Sequence, residues 1–338
     1  ASGGVEHLTN QQPKEGNNMA LAASYNTTGN REDLTDILSV LEPEATPLLS
    51  LAKKKKATAT FNEWQCDSLT DPNIAGVNEG EDVTSFQNAT VNRARLGNYV
   101  QKFRDSYMVS DIEQLTSVAG VSSEFAEAEG KSTRQVKRSI ETAICSTQDR
   151  QADAGAGAPY LTRGLTKWLE ASLSDVPDAY ECVARDTTTP ITEVLFNGVL
   201  QDLYNANGLP GGQLTLIAGA TLKKDISFFS RAVASTQNTY NVTQTADSKK
   251  ITLTVNMYEG DFGNVAIVPS TFVSRTAGAP GTVVADAGLL VDPEYVGVFT
   301  LKAESRTELE DQGGGKRGYV DVVCGLACYS PKAHGVFS

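Results

Sequence analysis

Several residue types are scarce in this 338-residue chain, and each scarcity argues against a class of function. Only two histidines occur, His7 and His334. A metal site with several histidines is therefore disfavoured, and so is a serine–histidine or cysteine–histidine catalytic pair. Lysine and arginine number 29 against 41 aspartates and glutamates, which gives a formal net charge of −12. A protein that wraps nucleic acid needs a large basic surface to neutralise phosphates, so that class is disfavoured.

Long apolar runs are also missing from the sequence. No run of about 18 apolar residues occurs, so no membrane span is predicted. The N-terminal stretch ASGGVEHLTNQQPKEGNN is polar and lacks the apolar core of a signal peptide. Residues 1–30 have no periodic apolar pattern, and we expect them to form an arm that is flexible or depends on a partner.

The five cysteines indicate neither a disulfide framework nor a metal site. Their number is odd, and no C-x-x-C pair occurs. Cys324 and Cys328 lie four residues apart in an apolar segment predicted to be a strand, which places both on one face, too far apart for an easy bridge. For these two and for Cys66, Cys145 and Cys182 we expect buried, reduced thiols, as in a cytosolic protein.

The sequence has the composition of a globular protein, and its pattern predicts long hairpins. Hydrophobic residues make up 40% and charged residues 21%, which argues against wholesale disorder. Residues 58–69 and 92–109 alternate in polarity and predict two strands, joined by a polar stretch with Pro72, Gly76 and Gly80. A two-stranded ribbon has no core and is marginal in water, so this hairpin must lie on its own domain or on a neighbouring subunit.

Charge is unevenly distributed along this hairpin. Residues 57–92 contain no lysine or arginine but six acids: Glu63, Asp67, Asp71, Glu79, Glu81 and Asp82. The return half then carries Arg93, Arg95, Lys102 and Arg104, and four lysines, Lys53, Lys54, Lys55 and Lys56, precede the hairpin. Such a lysine run contacts phosphate or an acidic neighbour, or it is simply a solvated junction, which is the commoner case.

The remaining pattern predicts a mixed α+β body. Ser122–Arg150 is the longest helical pattern, and residues 190–291 mix short helices and strands. A second hairpin is predicted from Tyr295–Arg306 and Gly318–Ser330, with Asp311–Gly318 as its turn. The shorter predicted elements are helices at Asp33–Glu42, Thr192–Asn207 and Leu222–Val233 and strands at Gln213–Ala218, Ile251–Tyr258 and Asn264–Val268.

No motif in the sequence predicts catalysis, a cofactor site or a metal site. Gly313–Lys316 resembles a phosphate loop, but Arg317 follows the lysine and strands flank it, so a hairpin turn is the better interpretation. The hairpin acids could be paired carboxylates or a calcium loop, but they lack EF-hand spacing, so a solvated acidic loop is the better interpretation. Trp64 and Trp168 are predicted to be packing anchors. A body with an arm and two hairpins but no active site predicts an assembly subunit, not an enzyme.

Three stretches resemble the SU10-like family of tailed-phage major capsid proteins. They read DLTDILSVLEPEATPLLSLAKKKKATATFNEWQCDSL, MYEGDFGNVAIVPS and LLVDPEYVGVFTLKAESRTELEDQGGGKRGYVDVVCGLACYSPKAHGVF. The resemblance spans about residues 31–337 and implies the α+β, HK97-like capsid fold. It implies an N-terminal arm (1–56), an extended E-loop hairpin (57–107), a peripheral domain with a spine helix (108–189), an axial domain (190–291) and a return to the peripheral domain (292–338).

The resemblance implies that copies of the chain build the icosahedral head shell of a tailed double-stranded DNA phage. The implied partners are the chain itself, in hexamers and pentamers, a portal protein, possible scaffolding and decoration proteins, and packaged DNA held by weak, non-specific contact. No membrane is involved, and the expected locations are the virion and, during assembly, the bacterial host cytoplasm. The alternatives left open are a nanocompartment shell on the same fold, or a tail or decoration protein.

The expected contacts between subunits follow from the hairpin and the lysines. We expect the hairpin to cross to a neighbouring subunit, anchored near its base by Phe61 and Trp64, and we expect the lysines to pair with a neighbour's carboxylates rather than with DNA. Two sets of acids are candidates for that pairing: Glu79, Glu81 and Asp82 of the hairpin, or Glu124, Glu127 and Glu129 of the long helix. The predicted contact residues are Lys53, Lys54, Lys55, Lys56, Phe61, Trp64, Glu79, Glu81, Asp82, Arg93 and Arg95.

Overall fold

Two sheets and a separate two-stranded ribbon organise the part of the chain that the computed structural model describes. The described residues are 45–69, 72, 74–86, 88, 90–116, 122–155, 157–188, 190–207, 213–229, 255–273 and 287–337. Most of the predicted N-terminal arm, including the predicted helix Asp33–Glu42, lies outside this set.

The elements follow one another in a mixed α and β order. The helices are α1 (Pro47–Leu51), α2 (Asp111–Leu115), α3 (Glu124–Cys145), α4 (Leu165–Trp168), α5 (Glu193–Asn207) and α6 (Ala220–Phe229), with short 3₁₀ turns at Asp178–Tyr180 and Pro331–Ala333. The strands are β1 (Lys53–Lys56), β2 (Phe61–Cys66), β3 (Ala94–Tyr99), β4 (Gln101–Val109), β5 (Ala184–Asp186), β6 (Leu214–Ala218), β7 (Met257–Gly260), β8 (Gly263–Pro269), β9 (Gly288–Val291), β10 (Val296–Leu309), β11 (Lys316–Cys328) and β12 (Gly335–Phe337).

A four-stranded sheet with the order β1-β10-β11-β4 packs against the long helix α3. The helix begins after Ser123, whose hydroxyl accepts a hydrogen bond from the Ala126 N–H, and its apolar side chains recur at helical spacing. Val136, Ile140 and Ile144 form the buried stripe of α3 that joins the core of this sheet. The predicted helix is confirmed, but it ends five residues before the predicted end at position 150.

A six-stranded sheet with the order β5-β12-β9-β6-β8-β7 forms a second layer with α5 and α6. Its core contains Phe196, whose ring lies 5.5 Å from that of Phe337 in β12. The predicted mixture of short helices and strands is confirmed here. Because β12 pairs with β5 and β9, the segment predicted as 292–338 is divided between the two sheets.

The prediction that residues 92–109 form one continuous return strand is wrong. Strand β3 pairs with β2 to form the ribbon, whereas β4 pairs with β11 in the four-stranded sheet. Val100 separates β3 from β4; its N–H makes the last hydrogen bond of the ribbon, to the Thr60 oxygen, and its side chain is buried with Phe299 and Ala327. The extended hairpin of the predicted segment 57–107 therefore ends at this residue, and the chain beyond it belongs to the body.

Burial of the thiols agrees with the prediction from their number and spacing. All five cysteines are free and buried. Burial raises the pKa of Cys66 to about 11 and the pKa values of Cys182 and Cys324 to about 12. At neutral pH these thiols are therefore protonated and poor nucleophiles.

Asp321 joins three strands of the four-stranded sheet through its carboxylate. Its side chain is 1% exposed and accepts hydrogen bonds from Lys302 at 2.6 Å, from Ser305 at 2.7 Å and from Arg104 at 3.3 Å, while Lys102 pairs with it at 3.3 Å. Burial alone would raise the pKa of Asp321, but these hydrogen bonds outweigh it and hold the pKa well below the usual range. The carboxylate is thus the ionic centre between β10, β11 and β4.

We predict that Asp321→Asn lowers the free energy of unfolding by about 2 kcal/mol at pH 7, because three cations lose a charged partner. The pKa of Asp321 is depressed in the folded state, so its contribution to stability is complete above the unfolded pKa of about 4 and is lost as the pH falls below that value. The difference in unfolding free energy between wild type and variant, measured by urea titration, should be constant above about pH 5 and shrink below pH 4.

A matched control is Glu308→Gln, which neutralises an exposed carboxylate on β10. It should change stability by less than about 0.5 kcal/mol. Equal effects of the two substitutions, or a difference for Asp321→Asn that does not depend on pH, would contradict an ionic role for Asp321.

Candidate functional site

The candidate functional features of the described residues are a cleft, a long exposed loop and an exposed strand of lysines. Among them, no group of three or more histidine, cysteine, aspartate or glutamate side chains is placed to hold a metal ion. The helices in the same part of the chain are all too short or too polar to cross a membrane.

A cleft of about 490 Å³ lies beside Cys66, at the end of the paired ribbon from which the loop leaves. Its lining includes Cys66, Tyr180, Leu203, Tyr295 and Tyr329. The Cys66 thiol donates a hydrogen bond to the backbone oxygen of Tyr329, and burial raises its pKa. This cysteine is therefore a packing residue of the cleft and not an activated nucleophile.

The two-stranded ribbon carries a long exposed loop. The register pairs Phe61 with Tyr99 and Cys66 with Ala94, so the midpoint of the intervening chain is Gly80. Gly80 has a φ of +83°, and the turn there is closed by a hydrogen bond from the Glu81 N–H to the Asn78 oxygen. Large apolar side chains of this loop face solvent, with Ile74 100% and Phe86 89% exposed, together with Leu69, Val77, Val83 and Val91. We call residues 67–93 the hairpin loop.

The base of the ribbon is packed firmly onto its own subunit. The ring of Trp64 lies 5.8 Å from the rings of Trp168 and Tyr329, and the ring of Phe61 lies 4.5 Å from that of Tyr99. Trp168 is 1% exposed, which confirms the packing role predicted for both tryptophans. Phe61 and Trp64 thus anchor the ribbon within one chain, and their contact with a neighbouring subunit stays a prediction.

Some of the uneven charge is neutralised across the ribbon. Arg93 pairs with Asp67 at 3.0 Å, and Arg95 pairs with Glu63 at 3.7 Å. Lys102 and Arg104, which were predicted to share the basic return strand, pair with Asp321 in the body instead. The acids at the end of the hairpin loop, Glu79, Glu81 and Asp82, have no cation among these partners.

A buried arginine that the sequence did not reveal fixes the loop beside the ribbon. The Arg163 guanidinium bonds to Asp149 at 2.6 Å and to Asp175 at 2.8 Å, and it lies 4.7 Å from the centre of the Trp168 ring. Burial would raise the pKa of Asp149, but the hydrogen bond from Arg163 lowers it overall. Arg150 pairs with Asp175 and donates to the backbone oxygen of Gly97 in β3, which ties the ribbon to this network. These residues lie in irregular structure, where no periodicity relates one charge to another.

The four lysines form a strand at the edge of the four-stranded sheet. Strand β1 pairs in parallel with β10, and all four side chains are exposed. The Lys53 ammonium donates to the backbone oxygen of Glu294 at 3.4 Å, and the Lys55 ammonium lies 4.4 Å from the centre of the Tyr329 ring. Because side chains alternate along a strand, Lys54 and Lys56 point to the opposite face. We call β1 the lysine strand, and Lys54 and Lys56 its outer face.

A buried carboxylate holds the segment that leads into the lysine strand. The two oxygens of Glu141 in α3 accept hydrogen bonds from the backbone N–H groups of Leu48 and Leu49, each at 2.8 Å. These donors lie in the first turn of α1, where backbone N–H groups have no partner within the helix. Burial raises the pKa of Glu141, and the two hydrogen bonds oppose that rise. Together with the fully buried Leu48, this contact attaches α1 to α3.

Comparison with known proteins identifies one family. The model of the SU10 major capsid protein family matches residues 21–338. The major capsid protein of Escherichia phage Phieco32 is 29% identical over 197 residues, which cover 58% of this chain and 50% of that protein. The match therefore spans half the length of this curated relative.

Solved capsid structures share the fold at low sequence identity. The capsid asymmetric unit of cyanophage A-1(L) has a TM-score of 0.62 at 11% identity, covering 91% of this chain and 96% of that chain. The mature capsid of bacteriophage PhiM1 has a TM-score of 0.59 at 10% identity, covering 92% and 91%. A structure from Gordonia phage Cozz has a TM-score of 0.58 at 13% identity, covering 98% of each chain. The predicted α+β, HK97-like capsid fold is confirmed.

We predict that Glu141→Gln loosens the lysine strand. A glutamine has one acceptor oxygen, so its amide group would face a backbone N–H, and the free energy of unfolding should fall by about 2 kcal/mol. Trypsin cleaves after lysine, so cutting at residues 53–56 should become faster, as measured by mass spectrometry of timed digests. Glu127→Gln, on the more exposed side of the same helix, should leave this cutting rate unchanged. Equal rates in wild type and Glu141→Gln would contradict the attachment role.

Proposed function

The chain belongs to the SU10 major capsid protein family, and we propose that its copies assemble into the icosahedral head shell of a tailed double-stranded DNA phage. The observation that carries the proposal is the hairpin loop, which leaves six large apolar side chains in water. Exposed apolar surface of this kind marks a site of protein interaction. In a shell, that surface is covered by the neighbouring copy.

The length of the hairpin loop suits a contact between subunits. Fourteen residues separate Cys66 from Gly80, which is about 45 Å when extended at about 3.3 Å per residue. A compact chain of 338 residues has a radius of gyration of only about 20 Å. The loop can therefore cross from one body to the next.

The energetics of such a contact divide between apolar and charged groups. Full burial of one large apolar side chain contributes about 1.5–3 kcal/mol, whereas an exposed ion pair contributes at most about 1 kcal/mol. The apolar side chains of the hairpin loop would therefore supply most of the affinity. Charged residues such as Arg93, Arg95 and the lysine strand would select the partner and its register.

The domain roles and the remaining partners are part of the same proposal. Residues 190–291 would be the axial domain, which meets its copies in pentamers and hexamers, and α3 would be the spine of the peripheral domain. The finished shell would join a portal protein and possible scaffolding or decoration proteins. The net charge of −12 suits a lining that contacts packaged DNA weakly, because tight phosphate binding would hold the genome in place. Assembly would take place in the host cytoplasm, and the product would be the virion.

Electron microscopy of the purified protein separates this function from its alternatives. Closed icosahedral particles that contain DNA, formed in phage-infected cells, would support the head-shell function. Closed particles with protein cargo would indicate a nanocompartment shell, and tubes or monomers would indicate a tail or decoration protein. Either of the last two results would overturn the proposal.

We predict that deleting residues 71–90 leaves a folded subunit that cannot close shells. The paired part of the ribbon, Phe61–Cys66 with Ala94–Tyr99, is retained, so the thermal unfolding midpoint should stay close to that of wild type. Negative-stain microscopy should show no closed particles. A second variant that replaces residues 71–90 with a glycine–serine sequence of equal length should fail as well, because it restores the reach without the apolar side chains. Normal particles from either variant would contradict the role of the hairpin loop.

A further inference from the structure

The outer face of the lysine strand carries two cations that have no ion-pair partner in the described part of the chain. Lys53 and Lys55 contact the backbone oxygen of Glu294 and the ring of Tyr329. Lys54 and Lys56 are exposed, and no ion pair among the described residues includes either of them. The Cα atoms of alternate residues on one face of a strand lie about 7 Å apart, so the two lysines form a compact cationic surface.

The end of the hairpin loop carries the complementary charge. Glu79, Glu81 and Asp82 flank the midpoint of the loop and are exposed. Glu81 accepts hydrogen bonds from Asn78 and so holds the turn, whereas Glu79 and Asp82 take part in no ion pair among the described residues. Since residues 57–92 contain no lysine or arginine, the loop has no cation of its own to neutralise these acids.

Most of the other acids considered as partners for the lysines are already paired. Glu127 in α3 pairs with Lys131 and Arg134 at 3.8 Å, and Glu129 pairs with Arg306 at 2.7 Å. Of the two candidate sets from the sequence, the helix acids are therefore largely neutralised within the subunit. The acids at the end of the hairpin loop remain available to a second copy.

We propose that the outer face of the lysine strand binds the acidic end of the hairpin loop from a neighbouring copy of the chain. The inference rests on the proposed shell function and names the partner of this surface. The loop is long enough to reach another body, and the opposite charges specify which part of that body it meets. Each exposed pair changes an association constant by up to about fivefold, so two pairs together change it by up to about 25-fold.

A charge swap tests this pairing directly. One variant carries Lys54→Glu and Lys56→Glu, a second carries Glu79→Lys and Asp82→Lys, and a third combines all four changes and restores the wild-type net charge. Glu81 is left in place because it holds the turn. For the wild type and each variant, light scattering gives the lowest protein concentration at which shells form, at about 0.1 M and about 1 M salt, where the screening lengths are about 10 Å and about 3 Å.

At 0.1 M salt, each double variant should need about tenfold more protein than wild type, and the combined variant should recover most of that loss. At 1 M salt the differences should shrink to less than about threefold. A matched control, Lys53→Gln with Lys55→Gln, removes the two lysines that face their own subunit. Its threshold should depend on salt as that of wild type does.

Several results would overturn the pairing. Normal assembly of both double variants would do so, as would failure of the combined variant to recover. If the lysine variant forms shells normally but loses packaged DNA, the outer face binds phosphate instead. If the wild type forms no closed shells under any condition, that result contradicts the proposed shell function itself. The pairing, which is inferred from that function, is then contradicted as well.

Discussion

A two-stranded ribbon cannot bury its own apolar side chains, and the arrangement of this subunit follows from that constraint. The hairpin loop places Ile74 and Phe86 in solvent because a single pair of strands has no second layer to cover them. The two sheets and α3 form their own cores and do not need the loop for stability. The described body therefore has its own cores, whereas the hairpin loop exposes apolar side chains that a second protein could cover.

The ribbon is fixed at one end and free at the other, and different interactions serve the two ends. At the base, Trp64 packs on Trp168, and the Arg163 and Arg150 network joins the ribbon to the loop beside it. Arg163 is buried but its acidic partners are partly exposed, so these ion pairs orient the side chains more than they add stability. Beyond Cys66 the Tyr180 hydroxyl still donates a hydrogen bond to the backbone oxygen of Asn92, whereas the large apolar side chains farther along the loop are exposed. The paired strands and this contact therefore set the direction in which the ribbon leaves the body.

Local patterns predicted the elements whose contacts are local, and they failed where pairing is distant. The period of 3.6 residues identified α3 and α5, alternation identified β2, and the glycine-rich turn at Asp311–Gly318 identified the hairpin of β10 and β11. Alternation continues through Val100, so nothing local signals that β3 and β4 belong to different sheets. The short strands β5 and β12 are defined by pairing with each other across about 150 residues, which no local pattern contains. The HK97-like fold was predicted from the family resemblance and not from local patterns. Neither the resemblance nor any local pattern predicted the contacts of Arg163.

The edge position of the lysine strand has a consequence for subunits at high concentration. In the described part of the chain β1 has a strand on one side only, and the free edge of a sheet is a template on which another chain can form a strand. When two such edges approach, eight ammonium groups meet and repel one another. The lysines of β1 therefore disfavour edge-to-edge pairing of sheets from separate subunits.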